Sequence, residues 1–247
     1  MSKNFELLRH VEKERELFRT SGSPEIAPAN GNRPKTDVER LVREEEIKLV
    51  QRVFLLPGTD APRVVLFCGV DDSDGAGHIC ARASEILATQ TGASVCVVET
   101  NPQLSVLHRH FRLDNLGGLS DALVESGPIR EFAQRVAHTN LWVLPWGSAA
   151  AEWQTLLASD RLQSRTSELR AEFDYVLIDA PSATFCAGVV SLGRLADGAI
   201  LVIKSESTRR EAARRAKENL QAAKVRVLGA VLNDRKFPIP EALYWKF

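Results

Sequence analysis

The sequence predicts a doubly wound α/β domain: a mainly parallel sheet with helices on both faces, preceded by a helical extension. Three observations carry this. Apolar runs such as YVLID, AILVI and VLGAVLN do not alternate with polar residues, as strands buried on both faces require. Stretches with apolar residues at helical spacing lie between these runs. A Gly-punctuated turn, DDSDGAG, joins the first apolar run to the helical pattern that follows it. Ligands of such a fold sit at the carboxyl ends of the strands.

Taken in order, residues 2–19 read as a charged helix, with Phe5, Leu8, Val11 and Phe18 near helical spacing. SGSPEIAPANGNRPK follows, and its Pro, Gly, Ser and Asn content marks a flexible linker. Residues 1–36 are therefore expected as an extension and 37–247 as the domain. The domain opens with the helix DVERLVREEEIKLVQRVFL, whose Asp37 suits an N-cap. Strands are expected at 63–69, 94–99, 141–144, 174–179, 198–204 and 226–233. Helices are expected near 78–91, 103–111, 119–125, 128–136, 150–171, 186–195 and 208–223.

Composition narrows the function classes. Lys+Arg and Asp+Glu are both 32, so no global field draws nucleic acid or an anionic surface, and no nucleic-acid partner is expected. The apolar runs are strand-sized, so no membrane span is expected. The N-terminus is charged and lacks the apolar core of a secretory signal. The 4 cysteines share no CxxC spacing and read as buried, reduced thiols. The expected location is the cytoplasm.

The loop after the first strand carries the main functional signal. A nucleotide-binding loop reads G-x-x-x-x-G-K-S/T, its backbone N–H groups and helix dipole cradling phosphate, its Lys and hydroxyl serving phosphate and metal. Those positions here are Asp72, Gly77, His78 and Ile79. Ile79 offers no oxygen to a metal, and His78 is shorter than Lys and mostly neutral at pH 7. Asp71, Asp72 and Asp74 add carboxylates where polyphosphate needs positive potential. One such like-charge contact costs about 4 kcal/mol at 4 Å before screening, at an effective dielectric near 20. A second signal is EFDYVLIDAPS, where Asp179 ends an apolar strand; in a nucleotide site such a carboxylate orients magnesium through water.

The order VVLF…GAGHICARASEILA, SVCVVETNPQLSVLHRHFRLDNLGGLSDAL, LWVLPWGS, FDYVLIDAPS and VRVLGAVLNDRKFPIPEALY resembles the bacterial tyrosine kinases of capsule and exopolysaccharide synthesis, over roughly residues 40 to 245. The resemblance implies a P-loop NTPase-like fold, ATP and Mg²⁺ as cofactors, a membrane-bound polysaccharide co-polymerase or adaptor as partner, recruitment to the inner membrane face, and homo-oligomers. It places the phosphate loop at Gly75, Ala76, Gly77, His78, Ile79 and Cys80, the metal-orienting carboxylate at Asp179, and an adenine contact at Asn233. The family's Asp-x-Asp-x-Arg strand end reads Glu99-Thr100-Asn101-Pro102-Gln103, leaving Glu99 as the remnant of the base. Its subunit-packing Glu-x-x-Arg-x-x-Arg appears as Glu45, Lys48 and Gln51, and its tyrosine-rich tail is reduced to Tyr244.

The departures fall together on the phosphate, metal and base positions, while the scaffold motifs persist. Phosphoryl transfer depends on positioning and charge stabilisation, so their joint loss removes many orders of magnitude of rate. The expectation is a degenerate, pseudokinase-like regulator acting through protein contacts. The alternatives are an active kinase using another cation such as Arg82, and a partition-type positioning ATPase. Two weaker features remain. Arg209, Arg210, Arg214, Arg215 and Lys217 form either a solvated helix face or a surface for an acidic partner. His108 and His110 form an HxH without a third ligand, expected on a surface helix.

Overall fold

The computed structural model describes residues 5–6, 37–55, 61–149, 152–184 and 187–234. The strands are β1 (Phe5–Glu6), β2 (Val64–Gly69), β3 (Val95–Glu99), β4 (Gln134–Arg135), β5 (Leu141–Leu144), β6 (Tyr175–Ala180), β7 (Gly198–Lys204) and β8 (Val227–Asn233). They form one sheet in the order β1-β8-β7-β2-β6-β3-β5-β4, parallel except for the β4–β5 pair. The six expected strands lie where the apolar runs place them, each within one residue at either end.

The helices are α1 (Asp37–Phe54), α2 (Ala76–Thr91), α3 (Leu107–Phe111), α4 (Leu119–Val124), α5 (Trp153–Leu157), α6 (Asp160–Glu172), α7 (Ala187–Leu195) and α8 (Arg210–Ala222). Both sheet faces are covered, and β2 shows how. Val64, Leu66 and Cys68 point into the core under α4 to α8, whereas Val65 and Phe67 point into the core under α1 and α2. Burying one such side chain contributes about 1.5–3 kcal/mol, so continuous apolar strands belong only in a two-faced sheet. On the second face Glu46 of α1, itself buried, meets Arg82 of α2 at 2.5 Å. Phe54 of α1 packs edge-on against Tyr175 at 5.8 Å. No described helix is long and apolar enough to cross a membrane.

Several expected helices change form. The expected helix at 2–19 lies outside the described residues except for β1, where Phe5 and Glu6 pair in register with Val231 and Leu232. That non-local ladder is invisible to helical periodicity. The expected linker, SGSPEIAPANGNRPK, also lies outside them. The stretch 103–111 divides into a 3-10 turn at Pro102–Leu104 and α3, because the Glu99 carboxylate accepts the Leu107 N–H at 2.8 Å and starts a new helix there. The expected 128–136 helix shrinks to a 3-10 turn at Ile129–Phe132, after which β4 pairs with β5 and Arg130 lies over the Trp142 ring at 4.5 Å. The 150–171 stretch divides at Ala158–Ser159 into α5 and α6.

From β2 the chain skips one position to β3, and β6 later fills the gap, while β7 and β8 extend the other side. This reversal puts the crevice of the fold beside the loop that follows β2.

Candidate functional site

That crevice holds a cavity of about 240 Å³ at the carboxyl ends of β2, β6 and β8. Its wall begins with the β2–α2 loop. Asp71 accepts the Asp74 N–H at 3.1 Å through its carbonyl, and Gly75 turns the chain into α2 at φ 79°, a left-handed conformation that glycine adopts without a steric penalty. Asp74 does not face the cavity. It is 1% exposed, and its carboxylate accepts the Asp71 N–H at 2.9 Å and the Thr208 hydroxyl at 2.8 Å. Burial raises its pKa against the pull of these two hydrogen bonds. Its carbonyl accepts the side-chain amide of Asn233 at 2.9 Å, so one aspartate ties the loop to the ends of β7 and β8.

Of the predicted site residues, Gly75, Ala76, Gly77, His78, Asp179 and Asn233 line this cavity together. Ile79 and Cys80 are 1% and 0% exposed, and their side chains pack in the core with Phe67 and Leu107. The position where a hydroxyl would reach a metal is thus part of the hydrophobic interior. Gly77 is required by contact: a Cβ there would lie 2.8 Å from Oδ2 of Asp179 and 3.3 Å from Cβ of Val106.

Glu99 and Asp179 are register partners on adjacent strands. Asp179 is 3% exposed, and burial together with the neighbouring Glu99 charge pushes its carboxyl well above the usual carboxylate range. Glu99 is 0% exposed and is not part of the cavity wall. Its oxygens accept hydrogen bonds from the Ser105 hydroxyl at 2.7 Å, the Leu107 N–H at 2.8 Å and the Trp146 N–H at 3.3 Å. It therefore caps α3 and holds the loop after β5, with both oxygens engaged by the protein. His108 joins this group through Nδ1, 2.9 Å from the Ser105 hydroxyl.

Asn233 is buried, and its Oδ1 has no hydrogen-bond partner among the described residues. Sequence reasoning missed the polar residues Asn101, Ser182 and Asp234, which also line the wall. Asn101 and Ser182 follow strand ends, and that position relative to the crevice was the signal that could have found them. Asp234 pairs with Lys204 at 3.5 Å. His110 pairs with Glu85 at 3.3 Å, and among the described residues no three His, Cys, Asp or Glu side chains could hold a metal.

A doubly wound sheet with a glycine-turned loop over its switch point and an aspartate ending the neighbouring strand defines the P-loop NTPase-like class. The comparisons narrow this further. A family model described as cellulose biosynthesis protein BcsQ matches residues 63–225, and the chain belongs to that family. Its relatives are bacterial tyrosine kinases, as the sequence motifs imply. Tyrosine-protein kinase YwqD of Bacillus subtilis is 31% identical over 151 residues, which are 61% of this chain and 64% of YwqD, just under two thirds of that protein. Among solved structures, the chimerical protein CapA2B2 superposes with a TM-score of 0.76 at 17% identity, covering 96% of each chain. The kinase domain of the Escherichia coli tyrosine kinase ETK gives 0.74 at 17% identity, covering 96% of this chain and 93% of that domain. At this identity both show the shared fold.

Proposed function

We propose that this protein is a regulator of bacterial exopolysaccharide or capsule assembly that acts through protein contacts, with little or no ATP-dependent phosphorylation. The observation that carries the proposal is Ile79, which is 1% exposed inside the apolar core at the metal-hydroxyl position. The other wall residues agree with it. His78 stands in the lysine position, and Asp71, Asp72 and Asp179 line the cavity where phosphate charge would lie. A cavity of about 240 Å³ is also below the roughly 300–1,000 Å³ of ordinary small-molecule pockets. These residues do not fit Mg²⁺-ATP. Glu99, the remnant of the base, is engaged in holding α3 and the β5 loop.

In this reading the retained fold presents a surface to a membrane-bound co-polymerase or adaptor, and the protein works in the cytoplasm at the inner membrane face. A second reading, an active kinase with non-standard phosphate ligands, is favoured by the Oδ1 of Asn233, unpartnered among the described residues and an acceptor suited to an adenine amine. Incubation of the purified protein with Mg²⁺-ATP, followed by phosphotyrosine detection, separates the two. No phosphotyrosine on this chain or on an added tyrosine polymer is expected. Time-dependent labelling would favour the second reading.

A further inference from the structure

The chain is electrically neutral overall, yet α8 is not. Its apolar side is consumed by the core, with Ala216 and Leu220 at 1% and 2% exposure. Its outer side and the following turn expose Arg209, Arg210, Arg215, Lys217, Lys224 and Arg226, none of which makes an ion pair among the described residues. Arg214 lies between Glu211 at 2.9 Å and Glu218 at 3.4 Å, a triad with one net negative charge that offsets part, but not most, of this basic face. Arg210, Arg214 and Lys217 stand at i, i+4 and i+7, one stripe along a helix about 20 Å long.

The placement of two of these charges works against stability. Arg209 occupies the N-cap and makes no capping hydrogen bond, and Arg210 is the first helical residue. Caps favour Ser, Thr, Asp and Asn, and the positive end of the helix dipole repels cations. Neither packing nor capping accounts for arginine at both positions, whereas an external anionic surface does.

We infer that the α8 face docks on an anionic lipid surface by charge alone. This goes beyond the regulatory reading and does not depend on it. A lipid surface fits better than an acidic protein or nucleic acid for two reasons. The exposed large hydrophobic residues among the described residues are Leu55, Leu104, Leu116 and Val124, none on α8, so the face offers no anchor for a protein partner. It also carries no aromatic side chain on which the bases of a single strand could stack, and the duplex, which needs none, is a competitor in the test below. What it presents is charge density over an area, and four to eight basic residues on an amphipathic helix suffice for an anionic headgroup layer. At physiological salt the field reaches about 8 Å, so the neutral remainder of the molecule does not oppose contact.

The test is co-sedimentation of the full chain with vesicles of about 30% phosphatidylglycerol in phosphatidylcholine, against pure phosphatidylcholine and against a duplex DNA competitor. Binding to the anionic vesicles alone is expected, weakening steeply between about 0.1 M and about 0.5 M NaCl. Removing four charges together (R210A, R215A, K217A, R226A) should lower the partition coefficient by roughly six-hundredfold, at about fivefold each. The four side chains are exposed, and R210A also removes a cation from the positive end of the helix dipole, so the melting temperature should hold or rise slightly. Should that variant not fold, the wild-type salt series decides, and binding that ignores salt would overturn the inference. Equal binding to both vesicles, no binding to either, undiminished binding by the folded variant, or preference for DNA would overturn it as well.

Discussion

Replacing Ile79 by Thr writes the metal-binding residue of an ordinary phosphate loop back into this chain, and the structure says the change should be destabilising. Ile79 is 1% exposed and belongs to the cluster that holds Phe67, Leu87 and Leu107. Losing the buried hydrocarbon costs about 0.5–1.5 kcal/mol, as for Ile→Val. Burying a hydroxyl adds about 1–3 kcal/mol, at the lower end if it bonds back to the Gly75 carbonyl one turn earlier. The sum centres near 3 kcal/mol. For a domain of this size that is a fall in melting temperature of about 6–12 °C, since each kcal/mol moves it by about 2–4 °C. Ile79→Val is the control and should lose about 1–6 °C. Thermal denaturation followed by circular dichroism reads both variants. A threonine variant as stable as wild type would mean that the side chain faces the cavity, and the main support for a lost metal site would go with it.

Three further expectations follow from buried groups and from α1. Burial and Glu99 raise the Asp179 pKa, so the folded chain holds this proton more tightly than the unfolded chain, whose carboxyl titrates near about 3.9. The resulting stability is full below that value and is lost as pH rises through the folded one, so Asp179→Asn should gain on wild type as pH is raised above about 4. A stability difference that does not vary with pH would contradict this. Burial also pushes the Cys68 thiol up to about 12 and raises those of Cys80 and Cys96. Of the 4 cysteines these three should resist Ellman's reagent at neutral pH until the chain is denatured, and a second fast-reacting thiol would refute it. Lys48 is bonded within its own helix to Glu45 at 2.6 Å, so the subunit-packing pattern is partly self-satisfied. Light scattering at micromolar concentration should show a monomer or small oligomer, and a stable large ring would contradict it.

The strands were legible because their signal is local: six apolar runs are sheet-length and bounded by polar turns. The breaks between helices were less so. Ser159 followed by Asp160 is a helix-start signal that the long 150–171 pattern concealed. The break before α3 depends on Glu99 reaching eight residues forward to cap Leu107, and no periodicity records that. β4 is two residues long and exists through pairing with β5.

The site divides in the same way. Loop residues and Asp179 could be placed in one crevice from their positions at strand ends. The burial of Ile79 was not legible: from sequence it is the residue after His78, and only the helix phase set by Gly75 turns it inward. The Asp74–Thr208 hydrogen bond joins residues 134 apart, beyond any local signal. Glu99 showed its carboxylate in the sequence but not the three donors that engage it.

In the function proposed above, the fold is retained and the phosphate and metal chemistry is lost. Calorimetric titration of the purified protein with ATP and with ADP, each with and without Mg²⁺, tests it most directly. A dissociation constant of 1 μM corresponds to about −8.2 kcal/mol, well within the range of the method. The account predicts no saturable Mg²⁺-dependent heat at millimolar nucleotide. Micromolar binding that requires Mg²⁺ would contradict it and would move the assignment to an active kinase.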